Sequence, residues 1–344
     1  MARIDVTVHG AGIFGLSIAH ACAARGARVR VIDPHGIGAG SSGGIVGALA
    51  PHTPENWNEK KQFQFDSLRM AEAFWRGVDA LSGLSSGYAR LGRVQPVADA
   101  RALEMAHARA VTAGDLWQGH ATWDVIAAGG DWEPASPTGW LIRDTLTARL
   151  HPRQACDSLA AAIVAQGGEI TQDGADEGAV VWATGWQGLA ALSEAFGKTV
   201  GAGVKGQAAL LALDRRGQPQ LFADGVHIVP HADGTTAVGS TSEREFTAPA
   251  STDAQLDDVV AKARMLCPAL ADVPVIARWA GVRPRARTRA PILGAWPGRP
   301  GHLIANGGFK IGFGMAPKVA EVMADMVLDG HGAIPEGFRV EANL

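Results

Sequence analysis

Ile4, Val6 and Val8 alternate with more polar neighbours, a period-two pattern that predicts a short strand near the start of the chain. Helical spacing of apolar residues follows as far as Arg25, and the run Val29-Arg30-Val31-Ile32 reads as a second strand that ends at Asp33. Further along, residues 63–79 carry Phe63, Leu68, Ala71, Phe74, Trp75 and Val78 at amphipathic helical spacing. Strands are expected at 88–97 and 122–126, an alanine-rich helix at 100–116, and turns at 129–139 around Pro134 and Pro137. Pro152 suits the first turn of a helix over 152–166, where its missing N–H removes no intrahelical bond.

The second half predicts strands at 180–184, 210–213, 227–230, 236–239, 276–282 and 303–306. Turns at Arg216-Gly217 and Asp233-Gly234 favour antiparallel hairpins. Helices are expected at 253–267, stopping before Pro268, and at 316–328, with Met315, Met323 and Met326 as core. Strand-helix-strand patterns occur at both ends and in the middle, so the α/β chain reads as two interleaved lobes. One takes residues 1–80, 140–195 and 297–344, the other 81–139 and 196–296.

At 344 residues, two lobes also fit the chain's size, and 47% hydrophobic with 19% charged residues describes a compact fold. A net charge of -3, with basic residues clustered only near Arg283 to Arg289, argues against a nucleic-acid groove. Cys22, Cys156 and Cys267 are too scattered for a disulfide framework or a metal site. No apolar run approaches the roughly 20 residues of a membrane span, and no signal peptide pattern opens the chain. The expectation is a soluble, cytoplasmic protein.

Between the first two strands lies Gly10-Ala11-Gly12-Ile13-Phe14-Gly15. Strand, glycine turn, helix, strand and acid in this order form a dinucleotide-binding fingerprint. Gly10 permits the turn, Gly12 admits backbone to a pyrophosphate, and Gly15 allows close helix packing. Ile13 and Phe14 then open a helix whose free N–H groups face the phosphates. Asp33, followed by Pro34, is placed for ribose hydroxyls. The fingerprint alone does not separate NAD from FAD. A second small-residue segment follows, with Ser41, Ser42 and Gly43 as phosphate donors and Gly44 to Ala48 passing close to a flat ring. The same composition also suits an exposed flexible loop.

The Gly10 to Asp33 unit, Ser41-Ser42-Gly43, Val181-Trp182-Ala183-Thr184-Gly185 and Gly307-Gly308-Phe309-Lys310 together resemble the D-amino acid oxidase family, nearest to glycine oxidases and monomeric sarcosine oxidases. The resemblance implies a Rossmann-like FAD-binding domain of the glutathione-reductase type, interleaved with an antiparallel-sheet α+β substrate domain. It places Ala183, Thr184 and Gly185 beneath the cofactor and aligns Lys205-Gly206-Gln207 with the segment entering the substrate sheet. By the same likeness Arg283 binds the substrate carboxylate. Lys310 inherits a carboxylate or flavin role, and Gly308, Phe309, Ile311, Gly312, Gly314 and Met315 inherit cofactor proximity. Two departures stand out. Only about a dozen residues separate the Gln166-Gly167-Gly168 turn from the Ala183-Thr184-Gly185 strand, where the family has a longer strand and hairpin, and Tyr88 is the only tyrosine. No cysteine lies in 278–294 or 307–315, so FAD is expected to be non-covalent.

The implied reaction is hydride transfer from a small carboxylate-bearing amine to FAD, with oxygen or another electron acceptor completing turnover. Such chemistry needs orientation more than side-chain acid-base groups. His52 is a candidate for substrate or flavin contact and Trp57 for a lid. Trp279 is divided between pocket and core, and His227 and His231 are read as structural. A 2-hydroxy acid dehydrogenase, a tRNA-modifying flavin oxidase and a non-catalytic FAD-binding subunit are the competing classes. Neither the substrate's identity nor the oligomeric state is legible.

Overall fold

The computed structural model describes residues 3–344. A six-stranded sheet runs in the order β15 (Ile292–Ala295), β16 (His302–Asn306), β9 (Ala179–Trp182), β1 (Val6–His9), β2 (Val29–Ile32) and β8 (Glu169–Thr171). All neighbours are parallel except the β15–β16 pair. Against it pack α1 (Ile13–Ala24), α4 (Pro152–Ala165) and α7 (Gly312–Asp329), with α2 (Glu59–Ser82) lying on α4 and α7. α1 is buried from Ile13 through Ala19 and again at Cys22 and Ala23, which explains why it is apolar nearly all round. Leu68 and Trp75 of α2 and Met315 and Met323 of α7 join the same core.

An eight-stranded sheet forms the second lobe, ordered β14 (Val275–Ala286), β10 (Gly201–Leu211), β13 (Thr236–Gly239), β12 (Val226–Pro230), β11 (Gln220–Ala223), β4 (Arg93–Pro96), β6 (Trp140–Asp144) and β5 (Trp123–Ala127). It is antiparallel apart from β11–β4. Leu256, Val260 and Ala263 of α6 (Ala254–Leu266) bury against Leu211, Ile228 and Val238 of this sheet. Outside both sheets, β3 (Ala48–Leu49) pairs with β7 (Ala148–Arg149). α3 (Ala100–Leu116) and α5 (Gly185–Ala195) complete the elements. Side chains at Asn58, Asp99 and Asp253 cap α2, α3 and α6 by accepting backbone N–H bonds.

Several differences from the sequence reading have physical causes. The Arg216-Gly217 turn does not join neighbouring strands, because β10 pairs with β13 and β14 while β11 pairs with β12 through the turn after Ala223. β10 begins well before residue 210, since glycines at 201, 203 and 206 erase the apolar alternation while keeping strand geometry. α5 is a short glycine-containing helix that no periodicity announced. α7 starts at Gly312 rather than 316, with Pro317 inside it. Strand β6, in a stretch expected with the nucleotide lobe, pairs in the eight-stranded sheet, and β15 joins the six-stranded one. Among the described residues, no helix is long and apolar enough to cross a membrane.

Candidate active site

A cavity of about 740 Å³ runs from the carboxyl ends of β1 and β2 to the face of the large sheet. At its first end the turn after β1 is held by side chains from a distance. Asp33 Oδ2 accepts the Ala11 N–H at 2.8 Å and Oδ1 accepts the His35 N–H at 2.9 Å. A carboxylate offers about four lone-pair sites, so acceptor capacity remains for ribose hydroxyls. Gly10 has φ +105°, and a Cβ there would lie 2.4 Å from the Ala183 carbonyl oxygen. Gly15 is equally constrained, its added Cβ falling 1.9 Å from the Gly10 oxygen.

Ser42 Oγ accepts the Ile13 N–H at 3.0 Å, which ties the second glycine segment to the start of α1. The N-cap residue of that helix, Gly12, offers no side chain of its own. The Phe14 and Gly15 N–H groups have no acceptor among the described residues. Unpaired donors at a helix N-terminus, in a glycine-walled cavity, fit a pyrophosphate, so the donor set suits a dinucleotide such as FAD. The exposed-loop alternative for residues 36–47 falls away, because Ser41, Ser42 and Gly44 line the cavity and Ser42 is buried.

At the other end Arg283, on β14, lies across Gly206 of β10, whose missing side chain makes the room. A Cβ at 206 would sit 1.9 Å from Arg283 Nη1. The guanidinium donates to Ser240 Oγ at 2.7 Å and to the Thr241 carbonyl at 3.3 Å, with no carboxylate in direct contact. Burial pushes its pKa down to about 10 against the opposing pull of Glu243, so it stays charged at neutral pH. Lys205 and Gln207, which flank Gly206 in β10, instead bind Glu243 and Asp253 and anchor the chain beyond Thr241.

Lys310 reaches the same cavity after a backbone turn at Phe309, whose φ of 44° lies in the left-handed region. A non-glycine residue there costs on the order of 1 to 3 kcal/mol, and such strain persists where surrounding contacts enforce it. Here the Phe309 N–H donates to the Pro284 carbonyl at 3.0 Å, and its ring lies 5.8 Å from both the Arg285 guanidinium carbon and Lys310 Nζ. Lys310 is exposed by surface area, and what desolvation it has on this wall, then Arg283, lowers its pKa.

His227 on β12 also lines the cavity, its ring centroid 4.5 Å from that of Phe222. Burial, then the charges of Arg93, Lys310 and Arg283, push it down to about 3, so the ring is neutral. Its Nδ1 is buried without a partner among the described residues. Trp279 is resolved in favour of the pocket, its ring packing over Gly44 and Gly281.

Of the residues expected at the site, Gly10, Gly12, Ile13, Phe14, Asp33, Pro34, Ser41, Ser42, Gly44, Ala183, Thr184, Gly185, Gly308, Phe309, Lys310, Gly312 and Arg283 line this one cavity. Gly15, Gly43, Ile311, Gly314 and Met315 stand behind the wall: Gly43 packs on the Gly38 carbonyl and Gly314 near Leu68. His52 is corrected. It lies outside the cavity, bonded to Gln64 of α2 through its backbone N–H and Nδ1. Trp57 likewise donates to Gln62 and packs on Phe65 rather than forming a lid. Sequence reasoning missed Ser240, Phe222 and Trp186 as lining residues and relegated His227; none carries a motif.

Residues 5–326 match the family model described as FAD dependent oxidoreductase, DAO. The chain is 28% identical over 377 residues to the bifunctional protein ThiO/ThiG of Synechocystis sp., covering 98% of this chain and 55% of that protein. It is 33% identical over 125 residues to the glycine oxidase of Pseudomonas aeruginosa, 36% of this chain and 34% of that one. The chain thus spans about half the length, or less, of these curated relatives. The crystal structure of glycine oxidase from Geobacillus kaustophilus superposes with a TM-score of 0.84 at 20% identity, covering 99% of each chain. With its family model matched over nearly the whole chain, this protein belongs to the DAO family of FAD dependent oxidoreductases.

Proposed function

We propose that this chain oxidises a small carboxylate-bearing amine to the corresponding imino acid, with oxygen as final acceptor leaving as hydrogen peroxide. The observation that carries the reading is Arg283, a charged guanidinium fixed over Gly206 in the dinucleotide cavity and without a carboxylate of its own. Two parallel charge-assisted hydrogen bonds from Arg283 would clamp the substrate carboxylate and fix the direction of its Cα–H bond. Bound FAD supplies the hydride acceptor. Gly10, Gly12, Asp33, Ser42 and the α1 N-terminus would hold its nucleotide half, while Gly44 to Ala48 and Gly308 to Lys310 border the ring end. Trp279, Val282 and Phe222 line the same cavity with apolar surface that would exclude water from the reacting carbon.

The test is an anaerobic absorbance titration of the FAD-loaded protein with glycine, sarcosine, several D-amino acids and matched 2-hydroxy acids, followed by air. Loss of the oxidised-flavin band with an amine, and its return with peroxide in air, is the expected result. Reduction by hydroxy acids alone would replace the amine reading. Retention of the band with every compound would remove it.

A further inference from the structure

We propose that the substrate carries two acidic groups, one held by Arg283 and the second by Lys310. The inference rests on the amine-oxidation reading and specifies its substrate class. Its basis is the charge balance of one wall of the cavity.

Cations elsewhere in the protein commonly have carboxylate partners. Arg93 meets Asp144 at 2.9 Å, Arg30 meets Glu169 and Glu177, and buried Lys205 meets Glu243 and Asp253. Arg283 and Lys310 have no such partner among the described residues, and Lys310 makes no hydrogen bond there. Among the described residues the only carboxylate lining the cavity is Asp33, at the opposite end, where it accepts the Ala11 and His35 N–H groups. Two positive charges therefore line one space and neither touches a carboxylate, Glu243 acting on Arg283 only from a distance.

Arg283 lowers the pKa of Lys310 after desolvation, and Arg93, Lys310 and Arg283 together lower that of His227 after burial. A substrate with one carboxylate and a neutral amine leaves one positive charge of this wall without an anionic partner, although Lys310 itself is exposed by surface area. A second acidic group balances it, and burying charge is tolerated when it is paired. The side-chain types suit the division. Arg283 is fixed and planar, made for a bidentate carboxylate, whereas lysine is a point charge on a flexible stem that can meet a second acid at variable reach. The left-handed turn at Phe309 places Lys310 on this wall. His227, neutral, adds polar capacity without adding charge. Amino diacids such as D-aspartate or iminodiacetate have the required chemistry.

The experiment compares kcat/KM of the FAD-loaded enzyme for D-aspartate against D-alanine and for iminodiacetate against sarcosine, in wild type, Lys310→Met and Lys310→Arg. A charge-assisted contact of ordinary strength predicts at least one diacid preferred by about tenfold. That ratio falls by about tenfold in Lys310→Met and recovers in Lys310→Arg. Preference for the monoacids in both pairs overturns the proposal. So does an unchanged ratio in Lys310→Met, which would mean that Lys310 shares the first carboxylate or serves the cofactor. A second readout needs no turnover: flavin absorbance perturbation by malonate and succinate against acetate and propionate. Tighter binding of the diacids, lost in Lys310→Met, supports two-acid recognition even if no amine is oxidised, in which case only the reaction assignment fails. Equal binding of mono- and diacids overturns it.

Discussion

Gly206→Ala separates the position of Arg283 from its presence. The new Cβ would lie 1.9 Å from Nη1 and 2.2 Å from Cζ and Nη2. Ordinary contact needs about 3.4 Å or more, so the guanidinium must retreat by roughly 1.5 Å. The atoms in the way belong to the far end of a flexible side chain rather than to backbone, so β10 and its pairing with β14 survive. The 2.7 Å bond to Ser240 and the bond to Thr241 do not. A misplacement of about 1 Å in a positioning group costs on the order of 10²-fold, about 2.7 kcal/mol of transition-state stabilisation. We expect kcat/KM for the amine substrate to fall by about that factor, with FAD content and Tm close to wild type. Anaerobic stopped-flow of flavin reduction reads the first quantity, and calorimetry with flavin absorbance the others. In an Arg283→Met background, adding Gly206→Ala should cost little more, because the group it displaces is gone. Kinetics within threefold of wild type, or full additivity of the two changes, would refute the assignment of Arg283 as the carboxylate anchor.

Gly15→Ala meets backbone instead, its Cβ 1.9 Å from the Gly10 oxygen; we expect about 1 to 3 kcal/mol of destabilisation and protein purified with little FAD, read by urea denaturation and flavin content. Ser42→Ala removes the acceptor for the Ile13 N–H, which should cost about 1 kcal/mol and speed FAD release on dialysis; unchanged release would count against its place in the cradle. His231 is fully buried, donates from Nε2 to the Ile45 carbonyl at 2.7 Å, and is pushed by burial down to about 4 from 6.5. The unfolded chain therefore takes the proton first, so stability is complete above about 6.5 and declines as pH falls toward 4, by no more than about 3 kcal/mol from this group. In Tm against pH, His231→Gln should flatten that window; an unaltered slope would contradict it.

The nucleotide end was legible because its determinants are local. Strand, glycine turn, helix, strand and Asp33 lie within one short stretch and Gly15 answers to Gly10 within it, although Gly10 also meets Ala183 and Gly12 meets Ser42. The chemistry end was only partly legible. Arg283 and Lys310 were reached through resemblance, not through periodicity, and Gly206 looked like one glycine among 44. His52 seemed placed for the ring, yet a glutamine on α2 claims it. His227 has nothing in its sequence to distinguish it from ten other histidines. Its neutrality comes from burial among Arg93, Lys310 and Arg283, which three separate segments bring together. Local patterns along a chain specify backbone geometry and so the cradle. The charge, reach and free partners of a side chain depend on which distant residues share its cavity, and only the folded sheet decides that.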